Sequence, residues 1–233
     1  MISAPIPVIK PEWELWLNSV TFAAVLFALM MLYMYLGGSD FDMVVANRVA
    51  AGVSLGLIGV SFILSGVCYF WDRFDSMIVY RKYLGLLGFG MALTHLFISM
   101  FALPERFPMS EWLTERLDTF LLGLVATILF TAMAAISNQW AAKKVGGRWW
   151  RLLLRWGGYS AYILVFAHVV LLKYRWWLRW AETGDTWLPP LSLLGALFIL
   201  IVLSMRVALW WSVRQTAKKA RATQELHNTS LAK

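Results

Sequence analysis

Two of the three histidines in the sequence lie inside long apolar segments. His95 follows Met91-Ala-Leu-Thr and His168 follows Ile163-Leu-Val-Phe-Ala. The third, His227, lies in a polar C-terminal stretch. An ionisable side chain within a membrane-spanning segment is energetically costly and is therefore a candidate functional residue. Neither apolar segment carries a carboxylate within one helical turn of its histidine, so a local ion pair does not explain either one.

These two imidazoles could be the axial ligands of a haem iron. Imidazole nitrogen binds haem iron well, and two imidazoles fill both axial positions, which favours electron transfer over oxygen chemistry. The alternative is that His95 and His168 form only interhelical hydrogen bonds. The haem interpretation requires both side chains to lie at a similar depth in a membrane.

The composition predicts an integral membrane protein. Of 233 residues, 60% are hydrophobic and only 15% are charged, and the mean hydropathy is +0.64. A soluble domain has about 25% charged residues. Cys68 is the only cysteine, which excludes a disulfide within the chain, and a metal cluster or zinc-thiolate site would need other ligands.

Six apolar runs are long enough to cross a bilayer, which takes about 20 residues. We therefore predict an all-α fold, with residues 1–211 forming a single six-helix transmembrane domain and residues 212–233 forming a basic, frayed cytoplasmic tail. The predicted helices are 16–36, 49–70, 83–103, 118–137, 152–172 and 189–211.

The net charge of +8 is distributed unevenly between the two sides of this bundle. One side carries Lys10, Arg73, Arg81, Lys82, Lys143, Lys144, Arg148, Arg151, Arg155, Arg214, Lys218, Lys219, Arg221 and Lys233. The other side carries Arg48, Arg106, Arg116, Lys173, Arg175 and Arg179. Because Lys and Arg are enriched in cytoplasmic loops, both termini are predicted to be cytoplasmic. The positive charge thus needs no nucleic-acid partner to explain it.

With this topology the two histidines have similar depths. His95 lies twelve residues after Tyr83 and His168 lies sixteen residues after Leu152. At about 1.5 Å per residue these separations are about 18 Å and about 24 Å. Since both helices run outward, both histidines are expected in the outer half of the bilayer, where they could face each other across a flat ligand.

Glycines on nearby helical faces could leave room for such a ligand. Gly88 precedes His95 by seven residues and Gly158 precedes His168 by ten. At about 100° per residue, each glycine lies within about 80° of the face of its histidine. Glycine is also common where membrane helices pack closely, so both interpretations stay open.

Three segments resemble the ferric-reductase-like transmembrane family in their order and spacing. They are Arg81-Lys-Tyr-Leu-Gly-Leu before His95, Gly147-Arg-Trp-Trp-Arg-Leu-Leu-Leu-Arg before His168, and Trp187-Leu-Pro-Pro-Leu before Arg206. That family includes the membrane parts of NADPH oxidases and STEAP metalloreductases, and MsrQ-like haem-binding subunits of bacteria. The resemblance implies a multi-pass protein of the bacterial inner membrane that binds haem b through His95 and His168.

The sequence departs from the two-haem members of that family. They place a second histidine 13 or 14 residues before each outer ligand, where this chain has Arg155 and Arg81. MsrQ-like sequences usually carry a histidine at the position of Arg155. Arginine is permanently protonated and cannot act as an ordinary haem ligand. The resemblance therefore implies one haem, with iron bound by His95 and His168, and no inner haem.

The arginines of the inner half have two interpretations. Arg81, Arg155 and Arg206 could line a pocket for a flavin phosphate, a quinone or a lipid headgroup, because guanidinium groups suit phosphate. Alternatively, they are anchors whose long side chains extend to the membrane surface.

We predict a membrane b-type cytochrome that relays electrons to a partner redox protein on the outer face. It would be an electron-transfer subunit of an oxidoreductase system rather than a complete enzyme, since the sequence has no Gly-rich dinucleotide-binding motif. Electrons would then come from a partner protein or from quinol. The alternative is a structural or assembly subunit of a larger membrane complex, with the same fold and little or no redox role.

Overall fold

The structure, a computed structural model, describes residues 10–231, without the side chains of residues 139, 225–227 and 229–231. The ends of both termini and the side chain of His227 lie outside the described residues. Across the described chain the regular structure is helical. The α-helices are α1 Glu12–Leu36, α2 Met43–Phe70, α3 Arg81–Phe97, α4 Met109–Thr114, α5 Leu117–Ile136, α6 Gln139–Val145, α7 Gly147–Thr183 and α8 Leu191–Leu231.

Six helical segments are long and apolar enough to cross a membrane, which confirms the predicted all-helical fold. These segments are Glu12–Leu36, Met43–Phe70, Asp72–Ala102, Leu117–Ile136, Gly147–Thr183 and Leu191–Gln224. Their outward-facing side chains, such as Leu29, Ile128 and Ile201, are more than half exposed. Large exposed apolar surfaces of this kind mark a membrane or protein contact.

The second helix is the centre of the bundle. In the most apolar 18-residue stretch of α2, half of the residues are buried. In the equivalent stretch of each other spanning segment, 17% or fewer of the residues are buried. α2 packs against α1, α3 and α8, while α7 packs against α5 and α8. A buried hydrogen bond ties α7 to this centre, because the hydroxyl of Tyr162 donates to the backbone oxygen of Leu55 at 3.1 Å.

The two last spanning helices are longer than their apolar runs. α7 has 37 residues, about 55 Å at the helical rise, and extends past the predicted range of 152–172 at both ends. Its outer extension is lined by interfacial pairs such as Arg179 over the ring of Trp176, at 5.2 Å. Hydropathy reports only the part of a helix that lies in lipid, so it underestimates a helix that continues into the interface.

The predicted frayed tail is instead a continuation of α8 as far as Leu231. The segment after Ser212 is rich in Ala, Lys, Arg, Gln and Glu, which are good helix formers. Neither Gly nor Pro interrupts α8 after Gly195. The prediction of a frayed tail, which was based on the polarity of this segment, is therefore wrong as far as Leu231.

The third spanning segment has three parts. A 3₁₀-helix over Asp72–Tyr80 leads into α3, and a π-helical turn over Ile98–Ala102 follows it. π-Helical turns inside α-helices frequently occur at functional sites. This one begins three residues after His95.

Candidate functional site

The two apolar-segment histidines lie on helices that are held apart by their neighbours. α3 carries His95 and packs on α2, whereas α7 carries His168 and packs on α5. Within the described chain α3 and α7 make little direct contact with each other. Both imidazoles are half-buried and lie within electrostatic range of one another. The His95 ring lies against α2 and the His168 ring lies against α5.

His95 is oriented by a buried asparagine of α2. Its Nδ1 lies 3.2 Å from the backbone oxygen of Asn47 and 2.9 Å from Asn47 Oδ1. The Asn47 side chain, only 1% exposed, also donates from Nδ2 to Ser99 Oγ at 2.8 Å. Since Ser99 belongs to the π-helical turn, that turn helps to fix the orientation of Asn47 and hence of His95.

His168 is oriented by the first turn of α5. Its Nδ1 lies 2.8 Å from the backbone oxygen of Thr119. The ring also rests against Gly123, one turn further along α5. A Cβ atom built on Gly123 would lie 3.1 Å from both Cε1 and Nδ1 of His168. The absence of a side chain at Gly123 therefore lets the imidazole approach α5 closely enough for its hydrogen bond.

These contacts fix which nitrogen of each ring carries the proton. A backbone carbonyl oxygen can only accept a hydrogen bond, so Nδ1 must be the donor in both His95 and His168. Each Nε2 then has a free lone pair, and neither has a hydrogen-bond partner among the groups that the structure describes. Metal-binding histidines are usually held in this way, with the second ring nitrogen donating to a carbonyl or carboxylate. The donor set therefore fits a haem iron.

The glycines predicted to make room for a flat ligand pack against helices instead. A Cβ on Gly88 would lie 2.7 Å from Ile58 Cγ1 and 3.0 Å from the backbone nitrogen of Ile58, in α2. A Cβ on Gly158 would lie 2.7 Å from Phe62 Cζ and 3.1 Å from Met133 Cε. Both contacts favour the helix-packing interpretation, which the sequence left open.

The predicted inner arginines form a separate group. Arg81 lies 14 residues before His95 and Arg155 lies 13 before His168, about 20 Å away along their helices. Arg81 donates from Nε to the backbone oxygen of Ser61 at 3.0 Å. Arg206 stacks on the ring of Tyr159 at 4.9 Å. The structure therefore brings these arginines to the end of the bundle opposite the histidines.

Three residues at the histidines were missed by sequence reasoning. Asn47 lies beside Arg48, before the predicted apolar run of 49–70, so its polar side chain offered no clear signal. Thr119 acts through its backbone oxygen, which any residue would supply, so its identity carried no signal. The role of Gly123 depends on a contact with a residue 45 positions away and is visible only in the folded chain.

Together the fold and the site define a class: a multi-pass helical membrane protein with two half-buried histidines whose Nδ1 atoms are both engaged. No family model matches the chain. The chain is similar to protein-methionine-sulfoxide reductase haem-binding subunits named MsrQ. It is 34% identical to that of Bordetella pertussis over 96 residues, which is 41% of each chain. It is 35% identical to that of Brucella anthropi over 72 residues, 30% of this chain and 32% of the relative.

The predicted homology to MsrQ haem-binding subunits is confirmed over this part of the chain. The match spans about 41% of the length of the Bordetella relative. A third relative, the MsrQ of Brucella ovis, is 33% identical over 76 residues, 32% of this chain and 34% of its own. The similarity therefore covers a region of the chain and not its whole length.

Proposed function

We propose that this chain is a membrane b-type cytochrome subunit in which His95 and His168 hold one haem b through their Nε2 atoms. The observation that carries this proposal is that both Nδ1 atoms donate to backbone oxygens, which leaves both Nε2 lone pairs free. The relatives are themselves named as haem-binding subunits, which supports it. Haem iron, when bound there, would supply one-electron chemistry.

The protein's own contribution is to orient the ligands and to keep the site dry. Asn47 and the Thr119 carbonyl fix the two rings, and a hydrogen bond donated by Nδ1–H makes the imidazole a stronger ligand. The rigid hold on Asn47 through Ser99 limits rotation of His95. Since Asn47 and Thr119 are both buried, the hydrogen bonds are shielded from water.

The relatives are named as subunits of a reductase, and we extend this to the chain as a proposal. The chain would reside in a bacterial inner membrane, with both termini in the cytoplasm, and pass electrons to a partner redox protein outside. Acidic residues of the outer loops would help to dock that partner: Asp40, Asp42, Glu105, Glu111, Glu115, Asp118, Glu182 and Asp185. Electrons would arrive from quinol or from a flavin on a donor protein.

The test is a spectrum of the purified protein with haem quantification. The wild-type protein should give a reducible low-spin b-type spectrum and about one haem per chain. Replacing His95 or His168 by Ala should each abolish or convert the low-spin signal, because one axial ligand is lost. His227→Ala is the matched control and should leave the spectrum unchanged.

Two results would contradict the proposal. Retention of the wild-type spectrum by both His95→Ala and His168→Ala would show that other groups bind the iron. A wild-type protein that is colourless after expression with sufficient haem would favour the structural or assembly subunit instead.

A further inference from the structure

Three arginines lie in the half of the bundle opposite the histidines. Arg81 of α3, Arg155 of α7 and Arg206 of α8 lie within electrostatic range of one another. In the described chain the salt bridges are Lys10–Glu14, Lys82–Glu12 and Arg116–Glu111, so none of the three arginines has a carboxylate partner. Like charges that converge without a counterion repel, which makes the group a candidate anion site.

Aromatic and backbone contacts hold the group in place. The Arg206 guanidinium lies over the Tyr159 ring at 4.9 Å and near the Phe62 ring at 6.0 Å. The Phe62 and Tyr159 rings are 6.2 Å apart, edge to face. Arg81 is fixed by reciprocal hydrogen bonds with Ser61, the neighbour of Phe62 in α2. Arg81 and Arg206 thus contact neighbouring residues of α2.

Two donors of this region lack acceptors. Arg206 Nε and Ser65 Oγ are buried and have no hydrogen-bond partner within the described residues. Ser65 lies four residues after Ser61, on the same face of α2. The next residue, Gly66, packs against Met205, the neighbour of Arg206. Buried polar groups in native proteins are normally hydrogen-bonded, so this surplus of donors indicates a missing acceptor.

The location favours a membrane lipid as the source of that acceptor. Arg155 is exposed, and so is Trp156, whose ring lies 6.4 Å from that of Tyr159. Tryptophan and tyrosine collect at the depth of lipid headgroups. Just before α3, the 3₁₀-helix exposes Met77 and Ile78, as a segment lying on a membrane surface would.

An apolar groove lies on the outer surface of the bundle, along α8 and the end of α2. Phe70 of α2 and Leu203, Val207 and Trp211 of α8 contribute to its walls. Leu203 and Val207 flank Arg206 in the sequence of α8. The groove provides an apolar surface for an acyl chain on α8, the helix that also carries Arg206.

We propose that Arg81, Arg155 and Arg206 bind the phosphate of one anionic phospholipid, whose acyl chain lies along the groove of Phe70, Leu203, Val207 and Trp211. The planar guanidinium fork matches the oxygens of a phosphodiester and can bond them in pairs. The phosphate would also accept from Arg206 Nε and Ser65 Oγ. This lipid site is separate from the haem proposed above and does not depend on it.

Native mass spectrometry of the full chain, released from nanodiscs that contain phosphatidylglycerol and phosphatidylcholine, tests the proposal. The wild-type protein should retain one phosphatidylglycerol in preference to phosphatidylcholine. A variant with Arg81→Gln, Arg155→Gln and Arg206→Gln should retain at least tenfold less. The matched control, Lys143→Gln, Arg148→Gln and Arg151→Gln, removes the same charge from the same end and should retain the lipid.

Folding is monitored separately by circular dichroism and size-exclusion chromatography. If the triple arginine variant does not fold, Arg155→Gln alone, at an exposed position, should still weaken retention, and Val207→Trp should do so by filling the groove without changing charge. Equal retention in the wild-type and arginine variants would overturn the proposal. Equal loss of the lipid in the control variant would also overturn the proposal, as would retention of free flavin mononucleotide in place of a phospholipid.

Discussion

At the scale of single residues, the two histidines are held by different kinds of acceptor. His95 has both the side chain and the backbone of Asn47, whereas His168 has only the backbone oxygen of Thr119. A substitution can remove a side-chain acceptor but leaves a backbone carbonyl in place. The two sites should therefore respond differently to changes in the residues that orient them.

Asn47→Leu should weaken haem binding, whereas Thr119→Val should not. The first change removes an acceptor of the His95 Nδ1 proton and leaves Ser99 without its donor, and loss of such an orienting partner typically costs about 10–100-fold in metal affinity. The second keeps the carbonyl that orients His168. The rate at which each variant loses haem to apomyoglobin would show how tightly it holds the haem. Equal weakening by the two variants would argue against the orienting role of Asn47.

At the scale of helices, glycines determine which surfaces come together. Gly123 lets the His168 ring approach α5, and Gly88 lets α3 approach α2. Gly90 lies two residues after Gly88 on α3, and a Cβ atom there would meet nothing within 4 Å. Substitutions at Gly90 are consequently a matched control for both.

Gly123→Leu should displace His168 and reduce the low-spin haem signal. The added Cβ would lie 3.1 Å from the ring, and the rest of the leucine needs still more room, so the hydrogen bond to Thr119 would be lost. Electron paramagnetic resonance of the oxidised protein would show the loss of the low-spin species. Gly90→Leu should leave the spectrum as in wild type, and a normal spectrum in Gly123→Leu would contradict this account of the site.

Gly88→Val should destabilise the fold without directly affecting the histidines. The new Cβ would lie 3.0 Å from the Ile58 backbone nitrogen, which cannot rotate away, and overpacking of this kind costs about 1–3 kcal/mol. Denaturant unfolding in detergent, compared with Gly90→Val, would measure the difference. Loss of haem from Gly88→Val at unchanged stability would instead support the interpretation that Gly88 makes room for the ligand.

At the scale of the whole molecule, the six spanning segments place the histidines near one end and most of the basic residues at the other. The loops and helix ends of that basic end include the starts of α3 and α7 and the extension of α8 beyond the apolar core. The order of the helices puts the start of α1 and the C-terminal extension of α8 at the same end. Orientation in the membrane then depends on the distribution of Lys and Arg.

Reporter fusions test the predicted orientation. An alkaline phosphatase fused after Lys233 should be inactive and a green fluorescent protein at the same site should be fluorescent, since both report the cytoplasm. The opposite pattern is expected for insertions between Pro104 and Pro108, in the loop before α4. Phosphatase activity at Lys233 would contradict the predicted orientation and would place the partner on the opposite side of the membrane.

The sequence alone determined the fold class. The thickness of the hydrocarbon core requires long apolar helices, and the sequence contains six apolar runs of sufficient length. It also singled out His95 and His168, since a titratable side chain in an apolar run is conspicuous without any knowledge of the fold. Hydropathy did not determine how far α7 and α8 continue, because helices persist in water and at the interface as well as in lipid.

Only the tertiary structure decided how the histidines are held and what the glycines do. The Thr119 carbonyl is common to every residue type, and the contact of Gly123 with His168 joins positions far apart in the chain. The face of Gly88 that the sequence left open to a ligand is filled by α2, because packing sets the rotation of each helix and its neighbours. Such contacts depend on which helices become neighbours, and a pattern within one helix does not contain that information.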